Sequence, residues 1–341
     1  MRWFPIAIIV VIAAGLALVS SINSGYLLGQ IQGSFSQTRS SPRQQPQKQT
    51  PTSQREIGDL RARLGRDPIK ARQELATQLK DYTTERSDHF VLLYKPGKIK
   101  KEQQENKTYA KEVLALMELQ LELCVIDFKC SRPTERITAI ILDEKDFEAN
   151  VGRSELTAAY SRGLENVFFK KGIISDNDLS HETFHAVIEL EKKKMRRGRS
   201  FLHWPIEEGL GHSRENAEEK RLRIRTSLLI HLGRLEAIDY PAEDLLASLF
   251  LPTELTDQQE SDLRVQVTSL ILFLLDQGVP PREFLVLAKD VFEAYEKNKN
   301  DIEKAAREAK QIVRQFLKKY NLSSANLDKQ WLDWEKREAR Q

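Results

Sequence analysis

The first marked pattern along the chain is an uncharged, mostly apolar run from Trp3 to Ile22, preceded by Arg2 and followed by no Lys or Arg until Arg39. Twenty helical residues rise about 30 Å, the thickness of a bilayer's hydrocarbon core. The charge asymmetry predicts a cytoplasmic amino end with the rest of the chain on the far side. Two readings of segment 1–32 stay open: a retained transmembrane signal anchor, or a signal peptide cut near Val19-Ser20-Ser21. The first predicts a single-pass cell-membrane protein with an extracytoplasmic domain, and the second a secreted one. Residues 33–54 (GSFSQTRSSPRQQPQKQTPTSQ) carry almost no aliphatic side chains. They read as a disordered Gln/Ser/Pro-rich linker. Residues 55–86 read as a helical lead-in, with Ile57, Leu60, Leu64, Ile69, Leu75 and Leu79 at roughly helical spacing and Gly65 and Pro68 splitting it.

A compact domain is expected over 87–341. His89 to Tyr94 (HFVLLY) predicts a strand stopped by Pro96-Gly97. A long helix follows, from about Lys101 to Leu123. Ile137 to Leu142 (ITAIIL) is short, apolar and β-branched, which suits a buried strand, and Asn166 to Phe169 (NVFF) is another. After about Asp176 the periodicity is helical throughout, ending in a helix over Ser323–Arg340 that carries Trp331 and Trp334. A small mixed sheet followed by helices is an α+β pattern.

Composition narrows the classes. Fifty-three Lys+Arg against 50 Asp+Glu leave +3, too near neutral for a nucleic-acid partner. Two cysteines exclude a disulfide-dense scaffold and a Cys₄ metal module. Of the six histidines, four fall between positions 181 and 212.

Two of these belong to His181-Glu182-Thr183-Phe184-His185, an H-E-x-x-H pentapeptide. With so few histidines, its chance occurrence in a chain of this length is roughly one in a hundred. On a helix, positions i and i+4 share a face, so both imidazoles can reach one ion at about 2.0–2.1 Å. Glu182 is rotated beside the metal and suits a base acting on water. Ser175-Asp176-Asn177-Asp178 supplies a capping-box start for that helix, and Leu179, Ala186, Val187, Ile188 and Leu190 an apolar surface. Just over twenty residues on lies His203-Trp204-Pro205-Ile206-Glu207-Glu208-Gly209-Leu210. Pro205 suits the first turn of a second helix, whose opening carboxylates can face the first.

HETFH followed by W-x-x-E-E-G-L resembles the gluzincin metallopeptidases, most closely the peptidase MA-like domains, which carry H-E-x-x-H, then a tryptophan, then E-G-[L/F]. The resemblance spans most of Ser87–Arg340, but only these two motifs are sharp. It implies a zincin-like, thermolysin-type domain that binds zinc through His181, His185 and Glu208, with Glu207 the competing ligand. Glu182 is then the general base and acid in hydrolysis of a peptide or protein substrate. The family's downstream tyrosine has no counterpart at Arg264-Val265-Gln266-Val267, which leaves Tyr160, His231, Tyr240 and Arg264 as candidates to stabilise the oxyanion; Tyr160 is also the candidate substrate-binding residue. His212 stands where gluzincins place an acid to orient a ligand histidine. It either accepts that hydrogen bond or is an uninvolved helix residue. The resemblance also implies an edge strand that pairs with substrate, either Thr157–Tyr160 or Asn166–Phe169. The alternative function is a weak or inactive relative that binds peptide or envelope protein without cutting it.

The remaining features read plainly. Cys124 and Cys130 bracket a short helix-to-strand connection, where an extracytoplasmic setting permits a disulfide. His203 reads as loop surface. The run Lys192–Arg199 reads as the solvated end of the metal helix, where cations meet the negative end of the dipole.

Overall fold

The computed structural model describes residue 73 and residues 75–340, save 152–155, 162–163, 173, 199, 202, 236 and 250–255. The chain divides into the units Met1–Thr52 and Ser53–Gln341, and the described residues belong to the second. The apolar run, the linker and most of the lead-in therefore lie outside them. No helix of the described residues is long and apolar enough to cross a membrane.

Strands β1 (Thr83–Arg86), β2 (Phe90–Tyr94), β3 (Ile137–Leu142), β4 (Ala158–Ser161) and β5 (Asn166–Lys170) form one sheet in the order β1-β2-β3-β5-β4. Both outer pairs are antiparallel, and the inner pairs β2–β3 and β3–β5 are parallel. A parallel pair needs a long crossover. Helix α1 (Lys100–Phe128) supplies it between β2 and β3, burying Ala110, Val113, Leu114, Met117, Leu121, Cys124 and Phe128 along one stripe. β1 lies within the segment expected to be a helical lead-in, where only the residues before it are helical. It is short and polar (TTER) and sits at an edge, so it carries little hydrophobic pattern.

Alternation along the inner strands covers both sheet faces. Ile137, Ala139 and Ile141 of β3 and Val167 and Phe169 of β5 join the main core, while Ile140, Leu142 and Phe168 point the other way. They meet Leu75 and Phe147, the latter on α2 (Glu144–Val151). The main core continues into the helical region: α3 (Asp176–Met195), α4 (Trp204–His212), α5 (Ala217–His231), α6 (Ala242–Ala247), α7 (Asp257–Asp276), α8 (Pro281–Lys297), α9 (Ile302–Lys319) and α10 (Ser324–Glu338). The architecture is thus a small mixed sheet followed by a mostly helical region. Trp331 of α10 is fully buried and donates its indole N–H to Ser269 of α7, whose hydroxyl donates to Glu335.

α1 runs past its expected end at Leu123 to Phe128, where Lys129 in the left-handed region terminates it. Cys124 is therefore inside the helix and Cys130 just beyond it. Both are free and buried, and burial pushes their thiols up to about 11 and about 12 respectively.

Candidate metal centre

Helix α3 begins as its sequence predicts. Asp178 N–H donates to the Ser175 hydroxyl at 3.1 Å, and Ser175 N–H donates back to Asp178 at 3.3 Å. Its face toward α4 carries His181, His185, Glu189 and Lys192, three or four residues apart and hence in one row. α4 opens at an N-cap histidine: His203 Nδ1 accepts from Ile206 N–H at 3.3 Å. His203 is fully buried, with Nε2 at 3.0 Å from the Leu246 carbonyl, so it is not loop surface. It serves as a cap because the ring is held at both nitrogens.

Glu208 faces both rings of the H-E-x-x-H motif. His181 Nε2 and His185 Nε2 are 2.9 Å apart, and the Glu208 oxygens lie 3.7 Å from the first and 3.6 Å from the second. Tetrahedral ligands at about 2.0–2.1 Å from one ion sit about 3.3–3.4 Å from each other. The three spacings bracket that value, and the three residues form a group able to hold a metal ion. Glu207, the competing carboxylate, turns away. It accepts from Lys192 Nζ at 3.0 Å and from His203 N–H at 2.9 Å. Lys192 is wholly buried between Glu207 and Glu189, so the basic run does not start as a solvated surface. Its first lysine lies on the inward row of α3.

Two glycines let the helices approach. A Cβ on Gly211 would stand 2.8 Å from the His181 ring, and one on Gly209 would stand 2.5 Å from Ile271 of α7. The alternation Gly209-Leu210-Gly211 is thus a packing requirement of the site.

Electrostatics follow from burial. Desolvation, with the charges of His212 and His185, holds His181 well below the usual histidine range, leaving it neutral as a metal ligand must be. Burial pushes Glu208 up, but Arg264, His185 and His212 outweigh it and hold the carboxyl below its ordinary value. Arg264 of α7 donates from Nη1 to Glu208 at 2.5 Å and from Nη2 to Glu260 at 2.8 Å, with its guanidinium 5.3 Å from the Trp204 ring centre. Glu182 is half-buried, and desolvation pushes it up to about 8, with Glu208 adding; the backbone N–H of Tyr160, on the edge strand β4, donates to it and pulls the other way.

His212 is buried. Its Nδ1 is 2.6 Å from Glu215, which Arg223 grips at 2.6 and 2.7 Å. Burial raises Glu215, but His212 and Arg223 bring it down to about 2. The rings of His181 and His212 are 4.3 Å apart, and His181 Nδ1 and His212 Nε2 are buried without a hydrogen-bond partner. His181, His212 and Glu215 form a second group within metal-ligand span. Arg223 already engages both Glu215 oxygens, so that carboxylate supports His212.

The oxyanion candidates separate. Arg264 and Tyr160 are at the site, the tyrosine through its main chain. His231 instead pairs with Glu335 and Asp239, and Tyr240 N–H donates to Gln266. β5 lies between β3 and β4, so Asn166–Phe169 is interior and only β4 is an edge. Spacing along the chain carries no sign of the Glu215–Arg223 support or of the Arg264–Glu208 pair. No protein-family model, curated protein or solved structure matches the chain.

Proposed function

We propose that this chain is a membrane-tethered, exported zinc metallopeptidase of the gluzincin, peptidase MA-like type, hydrolysing peptide bonds in a peptide or protein substrate. One observation carries the reading: two imidazoles four residues apart on α3 and the Glu208 carboxylate on α4 converge with ligand-like spacing. The donor set fits zinc, since two neutral histidines and one carboxylate are its thermolysin-type catalytic complement. The small mixed sheet leading into helices supports a thermolysin-type fold.

When bound, zinc supplies a Lewis acid that polarises a carbonyl and brings the pKa of water to about 7. The protein's residues do the rest. Glu182, one residue along the helix from His181, takes the proton and hands it to the leaving nitrogen. Its hydrogen bond from Tyr160 N–H fixes the carboxylate against β4, the strand available to pair with an extended substrate. Arg264 supplies positive charge where the family has a tyrosine hydroxyl. His212 packs its ring against that of His181, 4.3 Å between centres, and is itself held by Glu215 and Arg223.

The alternative, a peptide-binding relative without turnover, is favoured by the same arginine, because Arg264 already engages a Glu208 oxygen. Metal content together with cleavage of an unfolded test peptide separates the two. The proposal expects Glu182→Gln to keep zinc and lose cleavage, whereas a binding module cleaves nothing in either form.

A further inference from the structure

α5 is apolar on two sides. Ile224, Ser227 and Ile230 face the core, yet Leu222 and Leu229, with Leu232, Leu235 and Ile238 just beyond the helix, are between 36% and 46% exposed. Large aliphatic side chains repeated on one outward face mark a contact surface more than a solvated one. Arg221 and Arg225 share that face and Arg234 follows in the turn; all three are exposed. None of the three makes a side-chain hydrogen bond or ion pair among the described residues. Other surface arginines do, as Arg132 does with Glu122 and Arg314 with Glu243. One acid, Glu218, sits at the amino end of the same face. A second exposed stripe, Leu119, Leu123 and Ile126 on α1, lies among Glu118, Glu122 and Asp127 and has the wrong sign for an anionic partner.

We propose that the outward face of α5 and the turn after it dock on a membrane surface, the leucines entering the headgroup boundary and the three arginines meeting anionic lipid. Arginines bordering exposed leucines can lay their aliphatic stems along the apolar surface and carry their guanidinium groups to headgroup level. The inference rests on the tethered reading above, in which twenty uncharged residues, Trp3–Ile22, and a 22-residue linker (33–54) precede the domain. Only residues 213–216 separate α5 from α4. Docking therefore holds the metal centre near headgroup level and directs it to membrane-proximal segments of protein substrates.

The test uses the full chain reconstituted in phosphatidylcholine vesicles with and without phosphatidylglycerol. An environment-sensitive fluorophore is placed on Leu229→Cys, with Leu222→Cys as a repeat and Ile302→Cys, exposed on α9, as the control; Cys124 and Cys130 are buried and should not label. A lipid-borne quencher should quench the α5 labels at least threefold more than the control in anionic vesicles. Raising salt to about 1 M, where the screening length falls to about 3 Å, should reduce the difference. Arg221→Glu/Arg225→Glu/Arg234→Glu should abolish it while vesicle co-flotation persists. Co-flotation with equal quenching at α5 and the control overturns the docking alone, as does α5 shielding that depends on protein concentration and not on lipid, which would make the face a contact between copies. Failure to co-float with any vesicle overturns docking and tether together.

Discussion

Glu207 and Glu208 are chain neighbours that serve two buried polar clusters along the same row of α3. Glu207 meets Lys192, itself paired with Glu189: a cation between carboxylates, each held at 3.0 Å. Glu208 meets His181, His185 and Arg264, in a cluster where His181 Nδ1 and the neighbouring His212 Nε2 keep no hydrogen-bond partner. The first cluster is complete with the protein's own charges. The second leaves buried ring nitrogens unpaired, which the interior tolerates only when something further satisfies them. The difference teaches which of two adjacent acids can serve a ligand: the one whose cluster still holds ring nitrogens without a partner.

That contrast can be broken from either side. The largest effect should come from Glu182→Gln, which should lower cleavage of a test peptide by about 10²–10⁴-fold while zinc content, measured by atomic emission, stays unchanged. His185→Ala should lose the metal outright. In the closed cluster, Lys192→Met leaves Glu189 and Glu207 buried without their cation, at a cost of about 3–5 kcal/mol. Calorimetry should show Tm falling by on the order of 10 °C with metal stoichiometry intact. Glu189→Gln/Lys192→Met/Glu207→Gln together should recover much of that loss, because no lone charge remains. Gly211→Ala pushes a methyl against the His181 ring and should weaken zinc affinity about 10–100-fold in a chelator competition, with little change in fold by circular dichroism.

The smallest effect concerns a third buried pair. Burial pushes His231 down, but its hydrogen bond to Glu335 and the charges of Glu335 and Asp239 lift it above the usual histidine range. A raised value stabilises the fold fully below about pH 6.5, the unfolded value, and the gain fades as pH rises through the folded one. Tm measured from pH 6 to 9 should therefore fall more in the native chain than in His231→Gln; parallel curves would remove the pair from the account.

Much of this was legible. ITAIIL is β3 residue for residue, because β-branched apolar runs of that length have few other uses. The Ser175–Asp178 cap and the H-E-x-x-H spacing act within one or two helical turns, so local pattern sufficed. Long-range partners were not legible. Lys192 opens a run of cations that reads as solvated, although its spacing of seven from His185 puts it on the inward row. His203 looked like loop surface because capping by an imidazole leaves no composition signal. Arg264 meets Glu208 across 56 positions, and only packing of α7 on α4, permitted by Gly209, makes them neighbours.

The account stands on Glu208, not Glu207, completing a metal site with the two histidines. Zinc quantification on chain purified without chelator, beside Glu208→Gln and Glu207→Gln, tests it directly. One zinc per chain in the native protein and in Glu207→Gln, with loss in Glu208→Gln, is the result it predicts. Zinc retained by Glu208→Gln, or none in the native chain, would contradict it.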